Sequence, residues 1–115
     1  MSKSIRLSYS QEFIVASGNV RAQAAPMTLK PKGKEGGIGN NHRGSDQWLY
    51  VVSGKGLATV GRKSVQLKPG KLLYIKMKID HEICNTGRTP LKTLNLYVPP
   101  AYRADGSTLP RGRPK

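Results

Sequence analysis

Apolar and polar residues alternate along this chain in short runs, and glycine, proline or asparagine closes each run. Residues 47–53, QWLYVVS, are dense in aromatic and β-branched side chains, which suit a pleated, half-buried strand. Gly54-Lys55-Gly56 predicts a hairpin turn, and residues 57–60 its return strand. Gly61-Arg62-Lys63 is the next turn and residues 64–67 another short strand. Lys68-Pro69-Gly70-Lys71 then reads as a turn with proline at its favoured position. Residues 72–79 and 82–84 continue the strands, Asn85-Thr86-Gly87-Arg88 turns the chain, and residues 91–98 form the last clear strand. Upstream, residues 19–27 read as a strand interrupted by Pro26, and residues 32–41 as a glycine- and lysine-rich loop. Helical periodicity is almost absent. Short strands at a spacing of roughly 8–12 residues predict an all-β sandwich or closed barrel. The last stretch, PPAYRADGSTLPRGRPK, has four prolines and no period. It reads as an extended strap over the body or as a disordered tail.

At 115 residues the chain is long enough for one modest core. The expected division is an arm over residues 1–18, a barrel over 19–100 and a basic tail over 101–115. Hydrophobic residues make up 37%, with one Trp and one Phe, so the core is expected to be small and aliphatic. No apolar run approaches the roughly 20 residues that cross a bilayer, and the first residues lack the apolar segment of a secretory signal. Together with the single cysteine, Cys84, this gives a cytoplasmic expectation. Twenty Lys and Arg against six Asp and Glu give a net charge of +14, a field that favours anionic partners. The basic residues are dispersed along the chain, however, with no helix-turn-helix, zinc-finger or RNA-binding signature. Nucleic acid therefore ranks below a small anionic ligand as the expected partner.

Paired carboxylates, a Gly-x-Ser-x-Gly elbow, a Walker loop and a dinucleotide fingerprint are all missing from the sequence. The chemistry-bearing residues are two histidines, His42 and His81. Brought together inside a barrel with the amide of Gln47 between them, they would form a ligand or metal pocket. Each also has a plainer reading, His42 as an exposed loop residue and His81 as a hydrogen-bonded strand residue. Gln47 would then fix the histidine tautomers in a metal-free cavity. Alternation turns Asp46 away from the face that Gln47 occupies. Trp48, Tyr50 and Tyr97 either line a ligand face or pack across strands. Lys76 and Lys78 either meet an anion at the barrel mouth or are solvated charges. Asn85 opens a turn, and Cys84 behaves as a small hydrophobe unless its pKa is depressed.

The spacing of these residues resembles the cupin superfamily. Its first motif runs Gly-x5-His-x-His-x3-4-Glu-x6-Gly and its second Gly-x5-Pro-x-Gly-x2-His-x3-Asn. Asn40-x-His42, then Gln47, then six residues and Gly54 follow the first. His81-x3-Asn85 follows the end of the second, and Leu67-Lys68-Pro69-Gly70 falls where cupins turn. The resemblance covers about residues 20–98, and the segments DQWLYVVSG and HEICNTGRTPLKTLNLYVPPAY are similar to a bacterial subgroup of small cupins. It implies a cupin-type barrel, that is, a jelly-roll double-stranded β-helix, and a homodimer paired through outer sheets. It also implies a divalent transition metal (Fe, Ni, Zn, Mn or Cu) and dioxygenase, decarboxylase or isomerase chemistry. The implied ligand set is His42, Gln47 and His81, with Asn40 weaker, and the implied pocket lining is Asn40, Trp48, Tyr50, Lys76 and Tyr97. Asn40 and Gln47 depart from the motif's histidine and glutamate, and Lys76 and Lys78 from its proline and glycine. Amide oxygen is a weaker ligand than imidazole or carboxylate, and the negative charge that would offset a buried cation is lost. A metal-free ligand-binding module is thus the alternative to an enzyme.

Overall fold

The computed structural model describes residues 4–37, 44–107 and 109. Nine strands follow one another, with no helix among the described residues: β1 (Ser17–Gly18), β2 (Gln23–Leu29), β3 (Lys34–Gly37), β4 (Asp46–Ser53), β5 (Gly56–Val60), β6 (Lys63–Leu67), β7 (Leu72–Ile75), β8 (His81–Asn85) and β9 (Leu91–Val98). They form two antiparallel sheets, one ordered β1-β2-β9-β4-β7 and the other β3-β8-β5-β6. The all-β, double-sheeted barrel read from the sequence is therefore the fold.

Period-2 alternation builds the interior. Gln47, Leu49 and Val51 of β4 and Leu91, Thr93, Asn95 and Tyr97 of β9 are buried, while their neighbours Tyr50, Val52, Leu96 and Val98 are exposed. Met27, Leu29, Leu49, Val51, Ala58, Leu67, Ile83 and Leu91 form the main core. Each large aliphatic side chain buried there contributes about 1.5–3 kcal/mol relative to exposure. Leu29, Leu91 and Leu67 close one end of the barrel. The inward positions at the other end are polar, with Gln47 beside Tyr97 in one sheet and His81 in the other.

Pro26 lies inside β2 without breaking it. The Ala24 and Pro26 carbonyls accept from Ala16 and Ile14, and Thr28 N–H donates to Glu12 O. Even-numbered β2 residues thus bond toward the N-terminal arm, and odd-numbered ones bond to β9. The donor that proline lacks falls on the irregular outer side, where it removes nothing from the central ladder.

Several expected boundaries differ, each for a physical reason. Residues 19–22 are a turn rather than strand, because the Asn19 side chain accepts from Arg21 N (2.7 Å) and Ala22 N (3.1 Å). Lys34–Gly37 is a strand rather than loop, held by pairing with β8 despite its glycines. Residues 54–56 are not a hairpin: β4 and β5 belong to different sheets, so the glycines carry the chain across the sandwich. Turn residues mark where a chain reverses but not which neighbour it joins. A hairpin lies between β5 and β6, where Val60 faces Lys63. The strand expected over 72–79 stops at Ile75, and Lys78 adopts φ +70° in the crossing that follows.

The arm and the start of the tail lie against the body. Phe13 bridges Met27, and Gln23 grips the segment after β9. Its Nε2 donates to Tyr102 O (2.7 Å) and its Oε1 accepts from Ala101 N (3.2 Å) and Tyr102 N (3.1 Å). Ala101 is fully buried, so the tail begins as a strap.

Gly54 and Gly70 both have φ +90°, but a Cβ at Gly54 would lie 2.5 Å from Pro90 O, whereas one at Gly70 meets nothing within 4 Å. Gly70→Ala is expected to cost about 1 kcal/mol of backbone strain, and Gly54→Ala about 3 kcal/mol or more. Urea unfolding measures both, and equal costs would show that the close approach of β9 to this crossing is unimportant.

Candidate functional site

Ile75 pairs with Gln47, and only residues 76–80 separate Ile75 from His81. That short crossing brings the inward side chains of Gln47 and His81 to the same end of the barrel. It is tied in place by Met77 N–H, which donates to Asp46 Oδ1 at 2.9 Å. Asp46 faces outward into this turn, as alternation requires, and takes no part in the interior.

A chain of hydrogen bonds decides what Gln47 presents. Asn95 is fully buried, and its Nδ2 donates to the Ala25 carbonyl (3.3 Å) and to Thr93 Oγ1 (3.3 Å). A carbonyl can only accept, so Asn95 Oδ1 must face Gln47, whose Nε2 donates to it at 3.2 Å. Gln47 Oε1 is left buried with no hydrogen-bond partner. Such an atom costs about 1–3 kcal/mol unless a ligand, ion or water satisfies it.

His81 is constrained in the same way. Its Nδ1 lies 3.3 Å from the Ile79 carbonyl, which can only accept, so Nδ1 carries the proton and Nε2 the lone pair. Burial holds the imidazole pKa below its usual value, with the Ile79 bond and the charge of Asp80 pulling the other way. The ring is therefore neutral at pH 7. His81 also lines a cavity of 220 Å³ with Gly37, Thr59, Gly61, Asp80 and Glu82. Gln47 Oε1 is thus an uncharged, unsatisfied acceptor at the end of the barrel where His81 also turns inward, though Gln47 does not line the His81 cavity.

Tyr97, directly opposite both Gln47 and Gln23, is buried and hydrogen-bonds Tyr102, with the ring centroids 5.1 Å apart. Burial raises its pKa well above 10, and burial pushes Tyr102 up to about 12. The charge of Glu35 adds to both shifts. Tyr97 is the one aromatic of those singled out in the sequence that faces inward.

Trp48 and Tyr50 do not line the interior. They alternate with Gln47 and Leu49 and stand on the outer face, where Trp48 stacks against Tyr74 at 4.8 Å. Trp48 thus packs across strands onto β7, while Tyr50 is exposed. Lys76 and Lys78 are exposed in the crossing at the rim of the polar end. Asn40 and His42 lie outside the described residues. Cys84 faces outward, and burial, a hydrogen bond to Glu82 and the charge of Glu82 raise its pKa, the opposite of an activated thiolate. Asn85 is a structural clamp: Nδ2 donates to Leu29 O and Thr89 O, and Oδ1 accepts from Gly87 N.

Sequence reasoning missed Asn95. The period of residues 91–98 was signal enough to place it inward. Among the described residues no three His, Cys, Asp or Glu side chains cluster closely enough to hold a metal by themselves.

A family model described as "Cupin domain" matches residues 26–97, more than half of the chain, and the protein belongs to this family. It is 34% identical over 70 residues to an uncharacterized protein, MJ1618, of Methanocaldococcus jannaschii, covering 61% of this chain and 56% of the relative. The chain thus spans little more than half the length of that curated relative. A solved structure from Bacillus halodurans superposes with a TM-score of 0.75 at 24% identity, covering 84% of this chain and 76% of the other. A Thermotoga maritima structure, described as that of a predicted oxalate decarboxylase, gives a TM-score of 0.61 at 29% identity, covering 68% and 67%.

Burial of the tyrosine pair leads to an alkaline prediction. A tyrosine whose folded pKa is raised stabilises the fold below its unfolded value near 10, and that contribution is lost as pH rises from there toward 12. Tyr102→Phe should flatten the fall in stability between pH 10 and 12 in urea titrations followed by circular dichroism. An unchanged slope would mean that Tyr102 ionises as freely folded as unfolded.

Proposed function

We propose that the polar end of this cupin barrel is a small-molecule site that holds a divalent transition metal (Fe, Ni, Zn, Mn or Cu) through His81 and Gln47, joined by His42. The observation that carries this reading is Gln47 Oε1, a buried acceptor that the fold orients and leaves without a partner. The buried His81 ring, held at Nδ1 by Ile79 O, turns inward at the same end and is the imidazole of this reading. The donor set fits a cation in kind, nitrogen and oxygen without a proton to displace, although amide oxygen makes it weaker than a carboxylate set. A bound metal would supply Lewis-acid polarisation of a substrate oxygen.

The protein's own groups do the rest. Asn95 fixes the orientation of Gln47, and burial between the sheets excludes bulk water around it. The charge of +14 raises the local concentration of a small anion such as a carboxylate, with Lys76 at the rim in its path. The Thermotoga maritima relative, at 29% identity, favours decarboxylase-type chemistry on a small carboxylate over the other reactions open to such a site.

Metal content of untagged protein, after loading with Mn, Fe, Ni and Zn in turn, tests the reading. One ion should bind near stoichiometrically. His81→Ala and Gln47→Leu should each weaken it about tenfold or more, roughly 1.4 kcal/mol. Failure of every ion to bind near stoichiometrically would leave the metal reading without support.

The homodimer also has a specific observation in its favour. Tyr50, Val52, Leu72, Tyr74, Leu96 and Val98 are exposed together on the outer face of the five-stranded sheet. Exposed apolar clusters of this kind mark interaction surfaces. Lys92 is the single cation among the described strand residues of this face, and its ammonium is drawn over the Tyr9 ring at 5.9 Å. Two copies, each carrying +14, meet least repulsion here. Light scattering should give a dimer mass that Tyr74→Lys with Leu96→Lys reduces to a monomer, and a monomeric wild type at high concentration and salt would refute the pairing.

A further inference from the structure

Leu29, Leu67 and Leu91 close the end of the barrel opposite to Gln47 and His81, and the connections over residues 30–33, 54–55, 68–71 and 86–90 run across it. Register brings these connections together: Leu29 pairs with Leu91, and Gly56 with both Leu67 and Asn85. Lys32 N–H donates to Asn85 O (3.3 Å), Thr86 N–H to Lys55 O (3.3 Å) and Gly70 N–H to Val51 O (2.8 Å). The four segments carry Lys30, Lys32, Lys55, Lys68, Lys71 and Arg88, and no Asp or Glu. Asp46 and Asp80 lie at the other end, beside and within the crossing that ties it together. The barrel is therefore polarised, with its closed end uniformly cationic.

Two of these cations share a hollow. Lys55 and Arg88 line a cavity of 540 Å³ together with Thr86, Gly87 and Thr89, a size that suits a small molecule. Both side chains are exposed, and neither forms an ion pair among the described residues. The wall that carries them is held in place. Buried Asn85 donates to Thr89 O (2.9 Å) and accepts from Gly87 N–H (2.8 Å), which fixes the turn bearing Arg88. Gly87 lets that turn lie against the other: a Cβ there would stand 3.5 Å from Lys55 Cβ. Like charges fixed around a concave surface focus a positive potential into it. A guanidinium fork matches phosphate oxygens two at a time, and an ammonium adds a point charge.

We propose that the closed end of the barrel is a second binding site, which takes a phosphate group of a small phosphorylated molecule between Arg88 and Lys55, with the Thr86 and Thr89 hydroxyls as further donors. No residue of the polar end takes part, so the site stands independently of the metal reading. A small ligand is favoured over nucleic acid because the cation pair sits in a hollow and no aromatic side chain lines it, whereas single strands are bound through stacking platforms along a groove.

Calorimetric titration of the full chain with inorganic pyrophosphate at low salt tests the assignment. Arg88→Gln and Lys55→Gln should each weaken binding about fivefold or more. Lys63→Gln removes the same charge from the β5–β6 hairpin, where Val60 pairs with both Lys63 and His81 at the far end, and should leave binding within about twofold. Equal weakening by Lys63→Gln would show net charge alone at work and overturn the site. Binding lost with Lys76→Gln, and kept with Arg88→Gln, would move the anion to the polar end and overturn it too. No pyrophosphate binding by wild type would overturn it outright. A single-stranded oligonucleotide that binds far more tightly than pyrophosphate, with an affinity falling steeply as salt rises, would replace the small-molecule site with a nucleic-acid surface. All four substituted side chains are exposed, and far-UV circular dichroism establishes that each variant is folded.

Discussion

Strand β9 is the element on which the rest of the molecule depends. It pairs along its length with β2 on one side and β4 on the other, and its alternation decides what the interior contains. Leu91 enters the apolar end, Thr93 and Asn95 the middle, and Tyr97 the polar end. A slip of one residue would send Leu94 and Leu96 inward and Asn95 and Tyr97 outward. The core, the strap held near Tyr97 and the orientation of Gln47 would all be lost together. Register in this strand is therefore a functional constraint as well as a structural one.

The polar end shows how a fold can commit a side chain to one role. Gln47 has both an acceptor and a donor, and nothing local decides which faces the cavity. The decision is made two groups away, at the Ala25 carbonyl, and passed through Asn95. His81 is oriented by the same logic at Ile79 O. Buried polar networks in which every member but one is satisfied are costly for stability. The unsatisfied atom of this network, Gln47 Oε1, is therefore the strongest sign that this end receives something from outside the chain.

Much of this was legible in residue order. Alternation in residues 47–53 and 91–98 located the two central strands to within a residue, and Pro69-Gly70 and Asn85-Thr86-Gly87 marked real turns. The motif spacing brought Gln47 and His81 forward as partners before any geometry was known. The hairpin at residues 54–56 was misread because glycine permits a reversal without specifying the strand beyond it. Trp48 and Tyr50 were grouped with the pocket because aromatic residues suit either face of a strand, whereas their parity relative to Gln47 places them outside. Strand β3 was read as loop because Lys34–Gly37 has no β propensity of its own. Only its pairing with β8 makes it a strand.

The sequence by itself determined the class of fold and the apolar core, because these follow from short-range periodicity and fixed spacing. Tertiary structure decided which strands are neighbours, which end of the barrel is polar and which lone pairs face it. Those outcomes depend on contacts between residues up to 79 positions apart, such as Gln23 with Tyr102, and no local pattern encodes them.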